Sequence, residues 1–332
     1  MSFEQSTETR PVERTAQNPI GLPHPPPLPP AAVEVINVSR WYGNVVAVND
    51  ISFRLDTGIT GLLGPNGAGK STMLHMLAGF LRPSAGTVTV QGERTWQNPA
   101  LYARLGLVPE REAVYSFMAG REFVLQSALL HKLPKPEEAA ARAIHRVEME
   151  FAQDRAMGGY SKGMKQRIKV AAAIVHEPQV LLLDEPFNGA DPRQRLQMME
   201  MFRKMADEGV TIVFSSHILE EVERLAENVL VIVSGRLAAS GDFREIRRLM
   251  IDRPHTFTVR SSDDRRLASA LIANPVVSGV ELKDGLLTIQ TEDFARFTHA
   301  AARIARDADV TVLEFRPTDE SLESVFAYLV QR

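Results

Sequence analysis

A glycine-rich run at residues 64–71 has the spacing G-x-x-x-x-G-K-S, which is typical of a phosphate-binding loop. It consists of Gly64, Pro65, Asn66, Gly67, Ala68, Gly69, Lys70 and Ser71. A short apolar segment precedes the run, and a helical apolar pattern starting after Thr72 follows it. Glycines let successive backbone N–H groups face one anion, and a helix N-terminus adds positive potential. We therefore predict a nucleotide site in which Lys70 reaches the β- and γ-phosphates and Ser71 offers its hydroxyl to Mg²⁺.

Two adjacent carboxylates follow the apolar run Val180–Leu183. Because open α/β sheets bind ligands at the carboxyl ends of their strands, Asp184 and Glu185 are expected near the phosphate loop. Asp184 is the candidate partner of Mg²⁺, and Glu185 is the candidate that orients and deprotonates the attacking water. His217 follows another predicted strand, Thr211–Phe214, after two serines; it is either an ordinary polar residue at a strand end or a contact of the γ-phosphate. Together with Lys70, Glu185 and His217 form the predicted catalytic set.

These side chains require a mostly parallel sheet covered on both faces, since short continuous apolar runs alternate with helical patterns. The predicted strands are Val33–Val38, Ile51–Leu55, Gly61–Leu63, Thr87–Val90, Val180–Leu183, Val210–Phe214 and Val229–Val233. A polar stretch rich in Glu, Arg and Ala, at about residues 99–165, is predicted to be an inserted helical subdomain. The fold class is therefore α/β for residues 33–245.

The two ends of the chain differ from this block. Residues 1–32 hold eight of the 20 prolines, so we predict a disordered or polyproline II tail. A hinge is expected at Gly241–Pro254. Residues 255–332 are predicted to form a small α+β domain with the element order β-α-β-β-α-β of a ferredoxin-like plait, followed by a helix. The plait includes a hairpin turn at Lys283–Gly285.

Bulk composition excludes several classes of function. The chain has 332 residues and a formal net charge of -3, which gives no support to nucleic-acid binding. It has no cysteine, so disulfides and cysteine-ligated metals are impossible. No apolar stretch approaches the roughly 20 residues that span a bilayer, and no signal-peptide pattern occurs at the N-terminus. A cytoplasmic protein is expected.

The segment Tyr160–Arg167, which lies just before Val180–Leu183, has the sequence Tyr-Ser-Lys-Gly-Met-Lys-Gln-Arg. It resembles the LSGGQ signature that separates the nucleotide-binding subunits of ABC transporters from other P-loop proteins. The resemblance extends from residue 33 to about 245, with five or six motifs in register. It implies a P-loop NTPase fold of the ABC cassette type that binds ATP and Mg²⁺ and hydrolyses ATP.

The resemblance also assigns roles to residues outside the phosphate loop. Tyr42 matches the aromatic residue that stacks on adenine, and Asp191 matches the D-loop. Ser161 caps a helix, so that its hydroxyl and the Gly163 amide can face a γ-phosphate. Because they cannot reach the P-loop of their own chain, the resemblance implies a head-to-tail dimer with two ATP molecules at composite sites. Thr72 is included among the residues that hold Mg-ATP.

Three residues depart from the family pattern. Glu110 stands where a glutamine is expected; a carboxylate can still bind Mg²⁺, but it adds negative charge near the γ-phosphate. Lys162 replaces the first glycine of the signature and keeps its backbone N–H. Ala190 replaces a customary leucine, which changes packing only.

The C-terminal region narrows the expected function. Residues 321–326, Ser-Leu-Glu-Ser-Val-Phe, resemble the accessory domain attached to ATPases of bacterial drug, antibiotic, lipid or polysaccharide exporters. The resemblance therefore implies an export motor on the inner face of the membrane that works with a separate membrane-spanning permease and a second ATPase subunit.

Other functions remain open at this stage. A translation factor or repair protein of the same family would carry two cassettes or long coiled coils, and this chain has neither. A GTPase would need an N-K-x-D motif, which is absent. A regulatory module that binds ATP without cleaving it is the remaining alternative, because Glu110 departs from the pattern.

Overall fold

The computed structural model describes residues 31–111, 114–242, 254–283 and 285–317. Ala31 and Ala32 are already buried, whereas the rest of the predicted proline-rich tail lies outside the described residues. So do most of the predicted hinge, at 243–253, and the predicted C-terminal helix. None of the helices in the described ranges has the length and hydropathy that crossing a bilayer requires.

The described elements alternate between strands and helices through most of the chain. The strands are β1 Val33–Tyr42, β2 Val45–Leu55, β3 Ile59–Leu63, β4 Ala85–Val90, β5 Glu93–Arg94, β6 Leu105–Val108, β7 Val180–Leu183, β8 Thr211–Ser216, β9 Asn228–Val233, β10 Arg236–Gly241, β11 His255–Ser261, β12 Gly279–Lys283, β13 Leu286–Thr291 and β14 Val312–Pro317. The α-helices are α1 Lys70–Leu77, α2 Gly120–Leu130, α3 Pro136–Arg146, α4 Lys162–Ile174, α5 Pro192–Asp207, α6 Leu219–Leu225, α7 Asp264–Ile272 and α8 Phe294–Asp307.

A six-stranded sheet forms the centre of the α/β block, in the order β10-β9-β3-β8-β7-β6. All neighbours are parallel except the β10–β9 pair. Every residue of β3, β7 and β8 is buried, because helices cover parallel strands on both faces. The predicted mostly parallel sheet is confirmed for the later predicted strands and for 61–63, whereas the predicted strands at 33–38, 51–55 and 87–90 belong to a separate antiparallel sheet. The carboxyl ends of β3, β7 and β8 lie side by side.

The early strands make a second, antiparallel sheet in the order β2-β1-β4-β5. Its β1–β2 pair contains register irregularities between Val35 and Trp41. The carbonyl of Ala47, in β2, approaches the phosphate loop so closely that a Cβ on Gly69 would lie 2.4 Å from that oxygen. The antiparallel sheet therefore packs against the phosphate loop through β2.

The helical region starts later than the sequence analysis predicts. Residues 105–108 form β6, which pairs in parallel with β7, so this part of the predicted helical range belongs to the central sheet. The strand has only four residues and follows a short 3-10 turn at Pro99–Ala103, too short a run to give a period-2 signal. Helices α2 and α3, a 3-10 turn at Met157–Gly159 and the start of α4 are the helical parts of the rest of the range, and loops connect them.

The last six described elements follow the order β-α-β-β-α-β that the sequence predicts. They form an antiparallel sheet in the order β12-β13-β11-β14, with Lys283 paired to Leu286 across the predicted hairpin. An apolar cluster that includes Phe257 and Phe297 is its core. The order agrees with a ferredoxin-like plait; its boundaries as a separate domain stay a prediction.

Two histidines stack beside the start of β6. The rings of His131, after α2, and His176, after α4, lie 3.8 Å apart at 8°. His176 Nε2 contacts the carbonyl of Leu105 at 3.2 Å. Burial, with a smaller contribution from the neighbouring His131, lowers the pKa of His176 from 6.5 to about 4. The folded protein therefore favours the neutral ring.

We expect this histidine to make the free energy of unfolding depend on pH. Below pH 6.5 the unfolded chain binds a proton that folded His176 resists, so stability falls as the pH drops towards 4. The loss at about pH 5 is roughly 1–2 kcal/mol. His176→Phe keeps a ring against His131 and should flatten this dependence in urea unfolding at about pH 7.5 and about pH 5. The exposed control His299→Phe should not; an equal pH dependence in both variants contradicts the assignment.

Candidate functional site

The glycine-rich run forms the tight connection between β3 and α1. Gly67 and Gly69 have φ angles of 81° and 107°, in the left-handed region that side chains other than glycine rarely adopt. Gly64 is needed for a different reason, because a Cβ there would lie 2.2 Å from the carbonyl oxygen of Ile232. The glycine spacing is thus set by backbone conformation and by the close packing of β9 on the loop.

The remaining residues of the run divide into exposed and buried positions. Pro65, Asn66 and Gly67 are exposed, whereas Ala68 is buried. The N–H of Ala68 donates to the carbonyl of Pro65 at 3.1 Å, which closes the turn. Ser71 and Thr72 are half-buried in the first turn of α1. The loop therefore presents its crest to solvent while its base is packed.

Lys70 begins α1, and its side chain is only 6% exposed. Its ammonium donates to the carbonyls of Gly64 at 2.8 Å and Pro65 at 3.3 Å. The same nitrogen lies 3.5 Å from Oε1 of Glu185. A buried ammonium is costly without such partners, so these contacts hold the cation between the phosphate loop and the end of β7.

The two predicted carboxylates follow β7 directly and are both buried. The N–H of Asp184 donates to the carbonyl of Val108 at 2.9 Å, which continues the pairing with β6. The hydroxyl of Ser215, in β8, donates to Asp184 Oδ1 at 2.6 Å and accepts from the N–H of Glu185 at 2.9 Å. Glu185 has a φ angle of 47°, a strained conformation for a side chain with a Cβ. Ser215 therefore orients the Asp184 carboxylate through its hydroxyl and holds the backbone of Glu185.

His217 lies between β8 and α6 and contacts the other oxygen of Glu185. Its Nδ1 is 2.9 Å from Oε2 of Glu185. One oxygen of the Glu185 carboxylate thus faces Lys70 and the other faces His217. The three residues come from different parts of the chain: the start of α1, the end of β7 and the end of β8. This is the arrangement expected where a carboxylate must be held in one orientation beside bound phosphates.

A further buried acid, Glu221, contacts the residue that precedes His217. Glu221, in α6, accepts from the hydroxyl of Ser216 at 2.6 Å and lies 3.3 Å from Nε of Arg195 in α5. Burial raises the pKa of the Glu221 carboxyl, against the opposing effects of the Ser216 hydrogen bond and Arg195. This group links the end of β8 to the helix that follows the D-loop position.

The predicted signature residues lie where α4 meets α5. Ser161 caps α4 by accepting from the N–H of Met164 at 3.2 Å, and Asp191 caps α5 by accepting from the N–H of Gln194 at 2.8 Å. A Cβ on Gly163 would lie 1.9 Å from Oε1 of Gln194. Ser161 and Asp191 are exposed, so the two capped helix starts form one accessible corner.

The departure at Lys162 has a structural counterpart in the D-loop. A Cβ on Gly189 would lie 2.8 Å from both Cβ and Cδ of Lys162. The lysine stem therefore packs on a glycine, and its side chain fits without displacing the helix start. Ala190 is buried close by.

Tyr42, at the end of β1, is 47% exposed. The guanidinium carbon of Arg40 lies 4.7 Å from the centre of its ring, which is within the range of a cation–π contact. An accessible ring of this kind can stack on a base, and its other face is covered by a cation.

Glu110 follows β6 and is exposed. It belongs with Ser71 and Asp184 to the oxygen donors predicted to hold Mg²⁺. The described ranges contain no cluster of three or more His, Asp or Glu side chains that would hold a metal by itself. A site with one or two carboxylates is what Mg²⁺ uses when a nucleotide supplies further oxygens, so the donor set fits.

Comparison with known proteins decides the family. The model of the ABC transporter family matches residues 48–188. The uncharacterised ABC transporter ATP-binding protein YxlF of Bacillus subtilis (strain 168) is 30% identical over 90% of this chain and 99% of that protein. The chain belongs to the ABC transporter ATP-binding proteins.

Other relatives and solved cassettes agree with this membership. The bacitracin transport ATP-binding protein of Enterococcus faecalis is 31% identical over 90% of this chain and 96% of that protein. The structure of cbiO1 from Clostridium perfringens, part of the ABC transporter complex cbiONQ, has a TM-score of 0.60 and 27% identity, and covers 67% of this chain and 95% of that one. ABC cassettes bind ATP and hydrolyse it to power transport, so ATP is the nucleotide of this cassette.

The cassette brings only part of the predicted site together. Lys70, Glu185 and His217 contact one another through the Glu185 carboxylate, with Asp184 beside them. Tyr42, Ser161, Gly163 and Asp191 instead contact residues of their own elements or of α5. Their roles stay predictions that depend on bound ATP and on a second subunit.

Sequence reasoning missed three residues that hold the site: Ser215, Glu221 and Lys169. Ser215 follows the apolar residues 212–214 of the buried strand β8 and lies two residues before His217. A buried polar residue at this place was the available signal. Glu221 stands one helical turn after His217. Lys169, a cation within the buried face of α4, is described below.

Proposed function

We propose that this chain is the ATP-hydrolysing motor of an exporter and acts as one half of a head-to-tail dimer bound to a separate permease. The convergence of Lys70 and His217 on the two oxygens of Glu185 carries the proposal. At the sheet edge where the phosphate loop lies, the carboxylate of Glu185 is fixed in orientation between the Lys70 ammonium and the His217 ring. That combination suits hydrolysis of a terminal phosphate.

ATP would lie with its phosphates on the loop of residues 64–71. Successive N–H groups of the loop and the start of α1 would bind the β- and γ-phosphates, and Lys70 would exchange its loop carbonyls for phosphate oxygens. The adenine would stack on Tyr42, whose ring is accessible. Arg40, on the ring's face, would keep that ring in place.

Ser71, Asp184 and Glu110 are the residues that would hold Mg²⁺. When bound, the ion neutralises charge that develops on the transferring phosphate. Support comes from the donor set, which consists of hydroxyl and carboxylate oxygens, and from Ser215, which orients Asp184. Thr72, in the same turn as Ser71, completes the polar start of α1.

Glu185 would orient the attacking water and accept its proton. Ser215 fixes its backbone, while Lys70 and His217 fix its two oxygens. His217 would also hydrogen-bond the γ-phosphate when ATP is present. Hydrolysis would then depend mainly on positioning and on charge neutralisation.

A second copy would complete each site through the corner formed by Ser161, Gly163 and Asp191. The exposed caps of α4 and α5 offer N–H groups and a hydroxyl to a partner's γ-phosphate. A symmetric dimer would place two such corners against two phosphate loops.

We expect complementation between two inactive variants if the sites are shared. Lys70→Met damages the phosphate loop and Ser161→Arg blocks the signature, so each homodimer should lose ATP hydrolysis. In a mixed dimer one site receives both defects and the other receives neither, so mixing should restore measurable hydrolysis.

The control for this experiment is a mixture with the double variant. Lys70→Met mixed with a chain carrying both Lys70→Met and Ser161→Arg leaves no intact site and should stay inactive. Sites built within single chains would give no recovery in either mixture, and that result would rule out the shared arrangement.

Export and a permease partner are supported by relatives rather than by site geometry. The daunorubicin/doxorubicin resistance ATP-binding protein of Streptomyces peucetius is 31% identical over 91% of this chain and 93% of that protein. By analogy we propose an exporter whose cargo passes through a membrane protein with several apolar spans, and a location at the cytoplasmic face of the membrane.

Isolation of the tagged chain from membranes tests the partner. We expect a protein with several spans of about 20 apolar residues to co-purify with it and to raise its ATP hydrolysis. Glu185→Gln should keep the partner and lose the hydrolysis. Recovery of the chain from the soluble fraction alone, with hydrolysis unaffected by membranes, would favour a non-transport ATPase.

A further inference from the structure

Lys169 is a buried lysine on α4, two turns after the Ser161 cap, and it is 5% exposed. Its ammonium donates to the carbonyl of Pro109 at 2.6 Å and to that of Arg111 at 3.0 Å, and the carbonyl of Glu110 lies at 3.4 Å. Three consecutive carbonyls of one loop therefore converge on one nitrogen.

The chemistry of lysine suits this position. An ammonium carries three donors and no acceptor, so it can serve several carbonyls at once. Its fourth contact, the Oε1 of Gln166 at 3.0 Å, comes from the preceding turn of α4. The cation is thus held by its own helix and holds the loop.

The loop that Lys169 grips is the one that carries Glu110. At its start, Val108 of β6 accepts from the N–H of Asp184, which fixes that end to the sheet edge. Lys169 fixes the three residues that follow. The same helix begins with Ser161 and Gly163, so Lys169 joins the loop near the nucleotide to the helix that would face the partner's nucleotide.

We propose that Lys169 is a positioning residue that fixes Glu110 for Mg-ATP and couples its position to that of α4. The inference rests on the proposed function, because it takes Glu110 as a group that acts on bound nucleotide. Loss of the ammonium would remove the hydrogen bonds to the carbonyls of residues 109–111, so the Glu110 carboxylate would no longer be held in one position. The phosphate loop and Tyr42 would still bind ATP.

Lys169→Met provides the first test, since methionine has similar length and no donor. In the full-length chain we expect kcat to fall by about 10–100-fold, the usual cost of removing a group that orients a metal ligand. The KM for ATP should change little, and the concentration of Mg²⁺ needed for half-maximal rate should rise. Lys204→Met, at an exposed lysine of α5, is the matched control and should behave as the unmodified chain.

Hydrogen exchange gives a readout that needs no hydrolysis. In Lys169→Met the amides of Glu110 and Arg111 should exchange faster, with the rest of α4 unchanged. If neither exchange nor kcat changes, the inference is wrong. If exchange changes as expected but the unmodified chain hydrolyses no ATP, the proposed function fails and the contact stands.

A double-mutant cycle with Glu110→Ala tests whether Lys169 acts through Glu110. Coupled residues give non-additive effects, so Lys169→Met should cost kcat far less in the Glu110→Ala background. Independent, multiplying losses would overturn the proposal, because they would mean that Lys169 only stabilises the fold. Should Lys169→Met not fold, Lys169→Gln, which keeps two N–H donors on a shorter side chain, is the replacement. It should show the same fall in kcat with little change in KM and the same coupling to Glu110→Ala. Full activity of Lys169→Gln would also overturn the proposal.

Discussion

Glu185→Gln is expected to lower the kcat for ATP hydrolysis by about 10²–10⁴-fold, the range associated with loss of a general base. The amide has the shape of the carboxylate and can still face Lys70 and His217, so the site should keep its geometry. It cannot accept the proton of the attacking water. ATP affinity should therefore stay within a few-fold of the unmodified chain, as measured by calorimetric titration with Mg-ATP.

The matched control for this prediction is Glu200→Gln on the exposed side of α5, where the carboxylate is 57% exposed and contacts the surface cations Arg203 and Lys204. That variant should hydrolyse ATP normally. Should Glu185→Gln retain steady-state hydrolysis, another group is the base and Glu185 serves only as the partner of Lys70.

Lys70→Met is expected to have the largest effect on nucleotide affinity. The ammonium lies 3.5 Å from Oε1 of Glu185, which is next to the buried Asp184. Without the Lys70 ammonium, the phosphate loop would bind the triphosphate of ATP close to the negative charges of Asp184 and Glu185 with no lysine to offset the repulsion. Truncation of one partner in a buried charge pair costs about 2–5 kcal/mol, so the Kd for ATP should rise between about 30-fold and a few thousandfold.

Calorimetric titration of Lys70→Met with Mg-ATP measures this loss directly. Lys204→Met serves as the control, because it removes an exposed ammonium 4.0 Å from Glu200 and should leave the Kd unchanged. A Kd for Lys70→Met within threefold of the control would contradict the role of the ammonium. Thermal unfolding without nucleotide separates this effect from a folding defect, since the variant also leaves Glu185 less compensated.

The nucleotide loop and the hydrolytic strand could be predicted from sequence because their chemistry demands adjacent residues. Gly64, Lys70, Asp184 and Glu185 lie in short contiguous segments, and each segment sits at a strand end. Short continuous apolar runs placed β3, β7, β8 and β9 in one mostly parallel sheet. Of these strands, β3, β7 and β8 are buried throughout, and β9 is buried except at its two end residues.

Other parts of the cassette depend on contacts distant in sequence. Strand β6 forms because it pairs with β7, more than 70 residues later in the chain. Its local sequence does not show this pairing, so the segment was assigned to the helical region. The antiparallel sheet of β1, β2 and β4 likewise depends on pairing that no local pattern specifies. Lys169 donates hydrogen bonds to backbone carbonyls about 60 residues earlier in the chain. Every residue has a backbone carbonyl, so the sequence cannot show which ones a lysine will contact.

The left-handed backbone at Glu185 sets folding and hydrolysis against each other at a single position. Glycine, asparagine and aspartate adopt a φ near 47° more readily than glutamate does, so drift towards these residues would relax the main chain and silence the motor. Under the proposed role of Glu185 as the general base, the demand for turnover is what would favour glutamate there. In lineages released from that demand, relief of the backbone strain would favour replacement of this residue, whereas loss of the partner of Lys70 would oppose it.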